Sequence, residues 1–227
     1  TSYMGTKNVL DLAVDKKIEG MVYVSSMEVY GIPDEKKEYI TEKDLGYIEL
    51  ENVRSSYSEG KRICECLCNA YVAEFGLPVK SARLAQTFGA GVLQEDNRVY
   101  AQFARSAMKK ENLVLRTDGS SEGNYCYTRD VIRALLLLGY SGKVGEAYNV
   151  VNEKSHMTIR EMAELVANDV SNGEIKVEFD IPDEAKSLGY APKVKMHLSS
   201  EKLNKLGWKA EVDMKEAYLR MMNDMEA

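Results

Sequence analysis

Residues 54–62 read Arg-Ser-Ser-Tyr-Ser-Glu-Gly-Lys-Arg, and residues 24–31 read Val-Ser-Ser-Met-Glu-Val-Tyr-Gly. These two stretches decide the reading of the chain. Met21 to Ser25 is a short apolar run ending in hydroxyls, the pattern of a buried strand with a polar end. Residues 55–75 read as a helix, stopped by Gly76 and Pro78. On that helix Tyr57 and Lys61 stand at i and i+4 and share a face. A free phenol titrates near ~10, too high for a base at neutral pH. A cation held beside it favours the phenolate and lowers that value. Ser26 can hydrogen-bond the oxygen that Tyr57 deprotonates, and Glu28 can serve a second proton transfer.

The Tyr-x-x-x-Lys spacing alone carries little, since it also occurs at Tyr3/Lys7 and Tyr39/Lys43. The setting distinguishes Tyr57. A strand ending in Ser-Ser precedes it, and a strand running into Gln86-Thr87-Phe88-Gly89 follows it.

Working outward, elements of the two periods alternate. Residues 3–17 read as a helix with Val9, Leu10, Ala13 and Val14 on one face. The polar stretch 31–53, punctuated by Gly31, Pro33 and Gly46, reads as a long loop. Val79 to Leu84 is a strand, 97–109 a helix and Leu113 to Arg116 a short strand. Thr128 to Tyr140 is a helix, with Asp130 as its cap, and Ala147 to Val151 is a strand. Thr158 and Glu161 form a capping box that opens a helix over 159–170. Ile175 to Ile181 alternates as an edge strand, and helices follow near 200–206 and 213–225. Strands alternating with helices predict a parallel sheet covered by helices.

The 227 residues are 44% hydrophobic and 29% charged, with a net charge of −6. The acidic balance argues against a general nucleic-acid binder. No stretch approaches the ~20 apolar residues of a membrane-spanning helix. Cys64, Cys66 and Cys68 follow Lys61 on one helix, and Cys66 points away from the other two. That spacing suits free thiols in a reducing cytoplasm rather than a metal site.

Several motifs together carry a family resemblance. Met4-Gly5-Thr6-Lys7-Asn8-Val9-Leu10 resembles a Gly-Thr-x-Asn-hydrophobic helix. Arg83-Leu84-Ala85-Gln86-Thr87-Phe88-Gly89 resembles Arg-hydrophobic-x-Asn-Thr-Tyr-Gly, with Gln86 in place of Asn. Tyr125-Cys126-Tyr127-Thr128-Arg129-Asp130-Val131 and Leu206-Gly207-Trp208 resemble further segments of the same family. The family is the extended short-chain dehydrogenases/reductases, the NAD-dependent nucleotide-sugar epimerases, dehydratases and decarboxylases.

The resemblance implies a partial Rossmann-like, doubly wound parallel sheet with a smaller α/β substrate lobe. Residues 1–90 would be the remaining half of the NAD-binding domain. Residues 91–227 would build mainly the substrate lobe, with 126–151 returning to the main sheet. The family opens with a strand, a Gly-x-x-Gly-x-x-Gly turn and a helix that holds the cofactor pyrophosphate. No such motif is read here; the nearest run, Gly89-Ala90-Gly91, follows a later strand and lacks the third glycine. Relative to the family, roughly the first hundred residues are expected to be missing, including the adenosine-binding half of the sheet.

By the same resemblance, Tyr57, Lys61, Ser26 and Glu28 are the catalytic candidates. Ser25, Tyr57, Lys61, Ala85 and Thr87 would contact NAD, and Gln86, Arg98 and Tyr125 would contact a nucleotide-diphosphate sugar. Helices 3–17 and 55–75 would pair two subunits. The triplet Ser26-Met27-Glu28 lacks the aspartic acid of the 4,6-dehydratases at its middle position. Arg54 to Arg62 and Arg98-Val99-Tyr100 with Phe103 are similar to the UDP-glucuronate decarboxylases. Gly123 stands where the family carries an arginine, which leaves Arg116 or Arg129 as substitutes for it. A decarboxylase, a 4-epimerase or a dehydratase remains open within the class, and a catalytically silent binding or scaffold domain outside it.

Overall fold

The computed structural model describes residues 2–181 and 195–225. In chain order the elements begin with α1 (Ser2–Lys16), β1 (Met21–Ser26), a 3-10 turn (Met27–Tyr30), α2 (Ser55–Phe75) and β2 (Val79–Leu84). There follow β3 (Gln86–Phe88), α3 (Val99–Lys109), β4 (Leu113–Leu115), β5 (Glu122–Gly123), β6 (Tyr125–Tyr127) and α4 (Thr128–Ser141). The rest are β7 (Ala147–Val150), β8 (Met157–Thr158), α5 (Ile159–Leu165), β9 (Val177–Phe179), α6 (Glu201–Asn204) and α7 (Met214–Met225).

The chain groups into two compact units. Unit 1 comprises residues 1–85, 130–151 and 198–209; unit 2 comprises 86–129, 152–197 and 210–227.

Unit 1 holds a parallel sheet in the order β1-β2-β7. Its register runs from Met21 opposite Val79 to Ser26 opposite Leu84, and from Ser81 opposite Ala147 to Leu84 opposite Val150. Parallel neighbours need crossovers, and the helices supply them. As the central strand, β2 is buried from Val79 through Arg83. That burial forces its polar side chains to find partners; Lys80 donates to the Gly139 carbonyl at 3.0 Å. The expectation of a buried β1 is corrected. It is the edge strand, and only Ser25 is fully enclosed.

Helices α1 and α2 share a core cluster of Leu10, Ala13, Cys68 and Tyr71 with Leu77 and the first residue of β2, Val79. Their apolar residues recur at helical spacing, so each buries one stripe. Gly76 ends α2 at φ 65°, in the left-handed region, and its N–H reaches the carbonyls of Tyr71 and Val72. Glycine takes that conformation without a Cβ penalty. Cys64 and Cys68 turn inward, while Cys66 is exposed. The loop between β1 and α2 is fastened by Arg62, whose guanidinium donates to the carbonyls of Val29 (2.8 Å) and Gly46 (2.6 Å).

Two sequence expectations change at α4. Asp130 is not the residue preceding the helix but lies within its first turn, fully buried. Its carboxylate pairs with Arg133 at 3.1 Å, and its carbonyl accepts from the Trp208 indole at 3.0 Å. A carboxylate there also opposes the positive helix N-terminus. The spacing Gly-x-x-Gly-x-x-Gly does occur once, at Gly139, Gly142 and Gly145, which the sequence reading passed over. It spans the end of α4 and the approach to β7. A phosphate cradle needs the opposite sequence, strand into helix N-terminus.

Unit 2 is built from short pairs. β3 lies parallel to β6, with Gln86 opposite Tyr125; β4 lies parallel to β9, and β5 antiparallel to β8. Around them α3, α5 and α7 enclose a core that includes Phe88, Tyr100, Tyr125, Met162, Tyr218 and Met221. The Thr158–Glu161 capping box forms as the sequence predicts, and a single π-helical turn over Val166–Val170 carries α5 onward. Among the described residues no helix is long and apolar enough to cross a membrane.

Candidate functional site

The end of β1 carries the first group. Ser26 is extended and caps the 3-10 turn, its Oγ accepting the Glu28 N–H at 3.2 Å. That uses one lone pair and leaves the hydroxyl proton able to donate. Glu28 points to solvent, whereas Met27 is buried. Ser25 does not serve as a surface ligand. It is enclosed, and its hydroxyl donates to Glu65 at 2.5 Å.

Helix α2 carries the second group. Tyr57 is half exposed (52%), so its phenol is accessible to a ligand. The Lys61 ammonium lies 5.8 Å from the Tyr57 ring centre and 5.2 Å from that of Tyr23. It donates to the Val24 carbonyl at 2.8 Å, which docks α2 onto the edge of β1. An ammonium has three donors, so two remain for other acceptors. Ala85, just past β2, is buried and bonded through its N–H to the Val150 carbonyl at 3.1 Å.

Behind these groups lies a buried polar network that the sequence reading missed. Arg83 on β2 forks onto Glu65 on α2, with contacts of 2.7 and 3.0 Å. Its remaining nitrogen donates to the Tyr30 hydroxyl (3.1 Å) and the Glu42 carbonyl (2.8 Å). Tyr30 in turn donates to Asn149 on β7 at 2.6 Å. Burial opposes the Arg83 charge, but Glu65 and Tyr30 outweigh it and hold the guanidinium above its ordinary value. Burial pushes the Tyr30 phenol up to about 12, against the pull of Arg83. The sequence signal was there: an arginine in a central strand, and a glutamate between two cysteines on a helix.

The other four candidates belong to unit 2. Gln86 is exposed, with its backbone N–H on the Asn124 carbonyl at 2.8 Å, and Thr87 is half buried. Arg98 is largely exposed and engaged by Asp96, which it holds down to about 2. Tyr125 is a core residue, not a surface one. It is 0% exposed and meets Phe88 edge-on at 6.1 Å. The two arginines considered as substitutes at position 123 are engaged as well, Arg116 by Asp180 and Arg129 by Glu211 at 3.0 Å. An open cleft of about 490 Å³ on unit 1, lined by Leu136, Tyr140 and Trp208, involves none of the candidates.

A parallel sheet with hydroxyl and carboxylate at one strand end, and a phenol–ammonium face on the next helix, defines an α/β fold of the dinucleotide-dependent type. The chain belongs to the NAD dependent epimerase/dehydratase family, whose model matches residues 1–151. UDP-glucuronic acid decarboxylase 6 of Arabidopsis thaliana is 30% identical over 226 residues, covering 99% of this chain and 62% of that protein. UDP-glucuronic acid decarboxylase 1 of Danio rerio is 32% identical over 173 residues, covering 76% of this chain and 40% of that protein. The chain thus spans between 40% and 62% of the length of these two relatives. Among solved structures, UDP-glucose 4-epimerase with UDP-glucose from Thermotoga maritima superposes with a TM-score of 0.83 at 20% identity, covering 100% of this chain and 69% of that one.

NAD is the cofactor of this family. The residues present fit one half of it. Tyr57 and Lys61 offer the phenol and ammonium that suit the hydroxyls of a nicotinamide ribose. The pyrophosphate half finds no strand–glycine turn–helix among the described residues.

Proposed function

We propose that this chain is part of an NAD-dependent enzyme that modifies nucleotide-diphosphate sugars, of the UDP-glucuronate decarboxylase kind. The observation that carries the reading is the accessible Tyr57 phenol sharing a helix face with Lys61, which is itself docked on the strand that ends in Ser26. In this reading Tyr57, Lys61, Ala85 and Thr87 serve the cofactor, and Gln86 and Arg98 serve the nucleotide sugar. Tyr125 supports that surface from the core.

Tyr57, as phenolate, takes the proton of the sugar 4-hydroxyl. Ser26 donates to that oxygen and fixes its position. Lys61 stabilises the phenolate and offers its two remaining N–H donors to ribose hydroxyls. NAD, held beside Tyr57 and Lys61, would supply a hydride acceptor for the same carbon. With a carboxylate on the neighbouring carbon, the resulting ketone lets carbon dioxide leave, and Glu28 is the group available to protonate that neighbouring carbon. Return of the hydride to the carbonyl carbon, with the Tyr57 proton going to its oxygen, closes the cycle. The burial of Met27 supports this branch over 4,6-elimination, because a thioether has no proton to give to a leaving hydroxyl. Re-reduction without loss of carbon dioxide would give a 4-epimerase from the same residues.

A homodimer through residues 3–17 and 55–75 belongs to the same proposal. It is supported by the exposed Met4, Val9 and Leu12 of α1 and Ile63 of α2. The glycine spacing at the wrong end of a helix favours a second reading, a folded domain that does not bind the cofactor alone. A thermal-shift titration of the chain with NAD, then with UDP-glucuronate and UDP-glucose, separates the two. A binding ligand raises the melting point by mass action. A rise with NAD supports the enzyme reading. A rise with a UDP-sugar alone supports a surviving sugar site without cofactor. No rise with any ligand retires the activity of this chain.

A further inference from the structure

We propose that the buried Glu65–Arg83 pair is a positioning device that fixes the strand end bearing Ser26 against the helix face bearing Tyr57 and Lys61. It rests on the reading of those three residues as the proton-transfer set. Glu65 lies one helical turn after Lys61 and two turns after Tyr57 on α2. Successive turns of α2 therefore grip successive residues of β1: Lys61 holds the Val24 carbonyl at 2.8 Å, and Glu65 holds the Ser25 hydroxyl at 2.5 Å. Ser26 is the next residue along the strand.

The pair is poorly explained as a source of stability. Only 8% of Glu65 and 5% of Arg83 is exposed, and removing two charges from water offsets most of their attraction. Direction is what such a pair supplies. A guanidinium fork meeting both carboxylate oxygens fixes angle as well as distance, which apolar packing does not. Here the fork is itself held on its far side by Tyr30 and the Glu42 carbonyl, and Tyr30 by Asn149. The glutamate accepts from β1 on one side and β2 on the other. Every element that carries a candidate group in unit 1 thus touches one connected set of hydrogen bonds. A helix free to roll by a few degrees would carry Tyr57 and Lys61 away from Ser26, and a displacement of ~1 Å can cost about 100-fold in rate.

The test uses the full chain and three substitutions. Ser25→Ala removes one hydroxyl, Glu65→Gln removes the charge but keeps an acceptor, and Arg83→Lys keeps the charge but removes the fork. NMR of ring-labelled tyrosine, with Tyr57 assigned through Tyr57→Phe, reports the surroundings of Tyr57. We expect the Tyr57 signals to move in all three folded variants while those of Tyr100 and Tyr218 stay in place. Where turnover is measurable, kcat falls by up to ~100-fold with KM little changed. Tyr57 signals that superimpose on the wild type in Ser25→Ala and Glu65→Gln, even with a lowered melting point, would overturn the proposal and leave the pair a structural one. Should Glu65→Gln fail to fold, Ser25→Ala alone decides. Failure of the wild-type chain to bind NAD would overturn the functional reading and leave the NMR comparison intact.

Discussion

Placing alanine at position 123 tests how unit 2 closes over its aromatic core. Gly123 is buried on β5, two residues before Tyr125. A Cβ added there would lie 2.3 Å from the Tyr125 hydroxyl oxygen, 2.5 Å from Cζ and 2.6 Å from Cε2. The ring cannot swing away, because it is enclosed, set edge-on to Phe88, and carried on a strand paired with β3. Overpacking of this kind costs about 1–3 kcal/mol. For a chain of this size each kcal/mol moves the melting point by about 2–4 °C, so Gly123→Ala should melt ~2–12 °C lower. Tyr125→Phe removes the nearest of the three contacts and leaves the other two, so it should rescue the alanine in part. The same change deletes a buried hydroxyl that has no hydrogen-bond partner among the described residues. Leaving such a group unsatisfied costs about 1–3 kcal/mol, so Tyr125→Phe alone should be neutral or stabilising. Urea denaturation of the four proteins in a double-mutant cycle measures the coupling, expected above ~0.5 kcal/mol. An alanine variant as stable as the wild type would refute the reasoning. The result reaches beyond packing. The arginine that the family resemblance expects at 123 has no room here while Tyr125 keeps its place, so any anion recognition must come from elsewhere.

Further outcomes follow from the same structure. Tyr57→Phe should leave the melting point nearly unchanged, because the phenol is half exposed, yet lower turnover by about 10²–10⁴-fold if Tyr57 is the base; equal turnover would remove it from that role. Of the four cysteines, Cys66 alone is exposed and burial pushes the Cys68 thiol up to about 12. Ellman's reagent should therefore titrate one thiol in the native chain and four after denaturation. The His197 ring stacks on His156 at 4.0 Å, and burial followed by that neighbour lowers its pKa. The unfolded chain then binds the proton more readily, near pH ~6.5, so stability is greatest above that value and is lost as pH falls toward the folded pKa. The urea midpoint should be lower at about pH 5.5 than at about pH 7.5, and His197→Asn should reduce the difference.

How much of this was legible in the sequence depended on how local each cause was. α2 was readable because its apolar stripe, Gly76 and Pro78 lie within one stretch, and β2 because it starts directly after that punctuation, although Lys80, Ser81 and Arg83 hid its central place. β3, β5, β6 and β8 span two or three residues each, too few for any period to register. The edge position of β1 could not be read, since the same apolar run suits a strand with either one neighbour or two. The Tyr57–Lys61 face followed from helical spacing, but the partner of Ser25 is 40 residues away on another element. Burial of Tyr125 was hidden for the same reason, because its enclosure comes from Phe88 and from residues of α3 and α7.

The interleaving of the two units bears on how the chain acquires its structure as it is made. Neither unit is a contiguous piece, and the backbone passes from one to the other five times, after residues 85, 129, 151, 197 and 209. β2 waits for β7 to emerge before its second edge is paired. At about 5–20 residues per second, the interval from the end of β2 at residue 84 to the end of β7 at residue 150 lasts ~3–13 s. Throughout it the central strand of unit 1 is exposed on one side. Pairings that join distant segments are slow in any case, and an unpaired strand edge is a template for wrong pairing, so this edge is the exposed point of a nascent chain of this design until β7 has emerged.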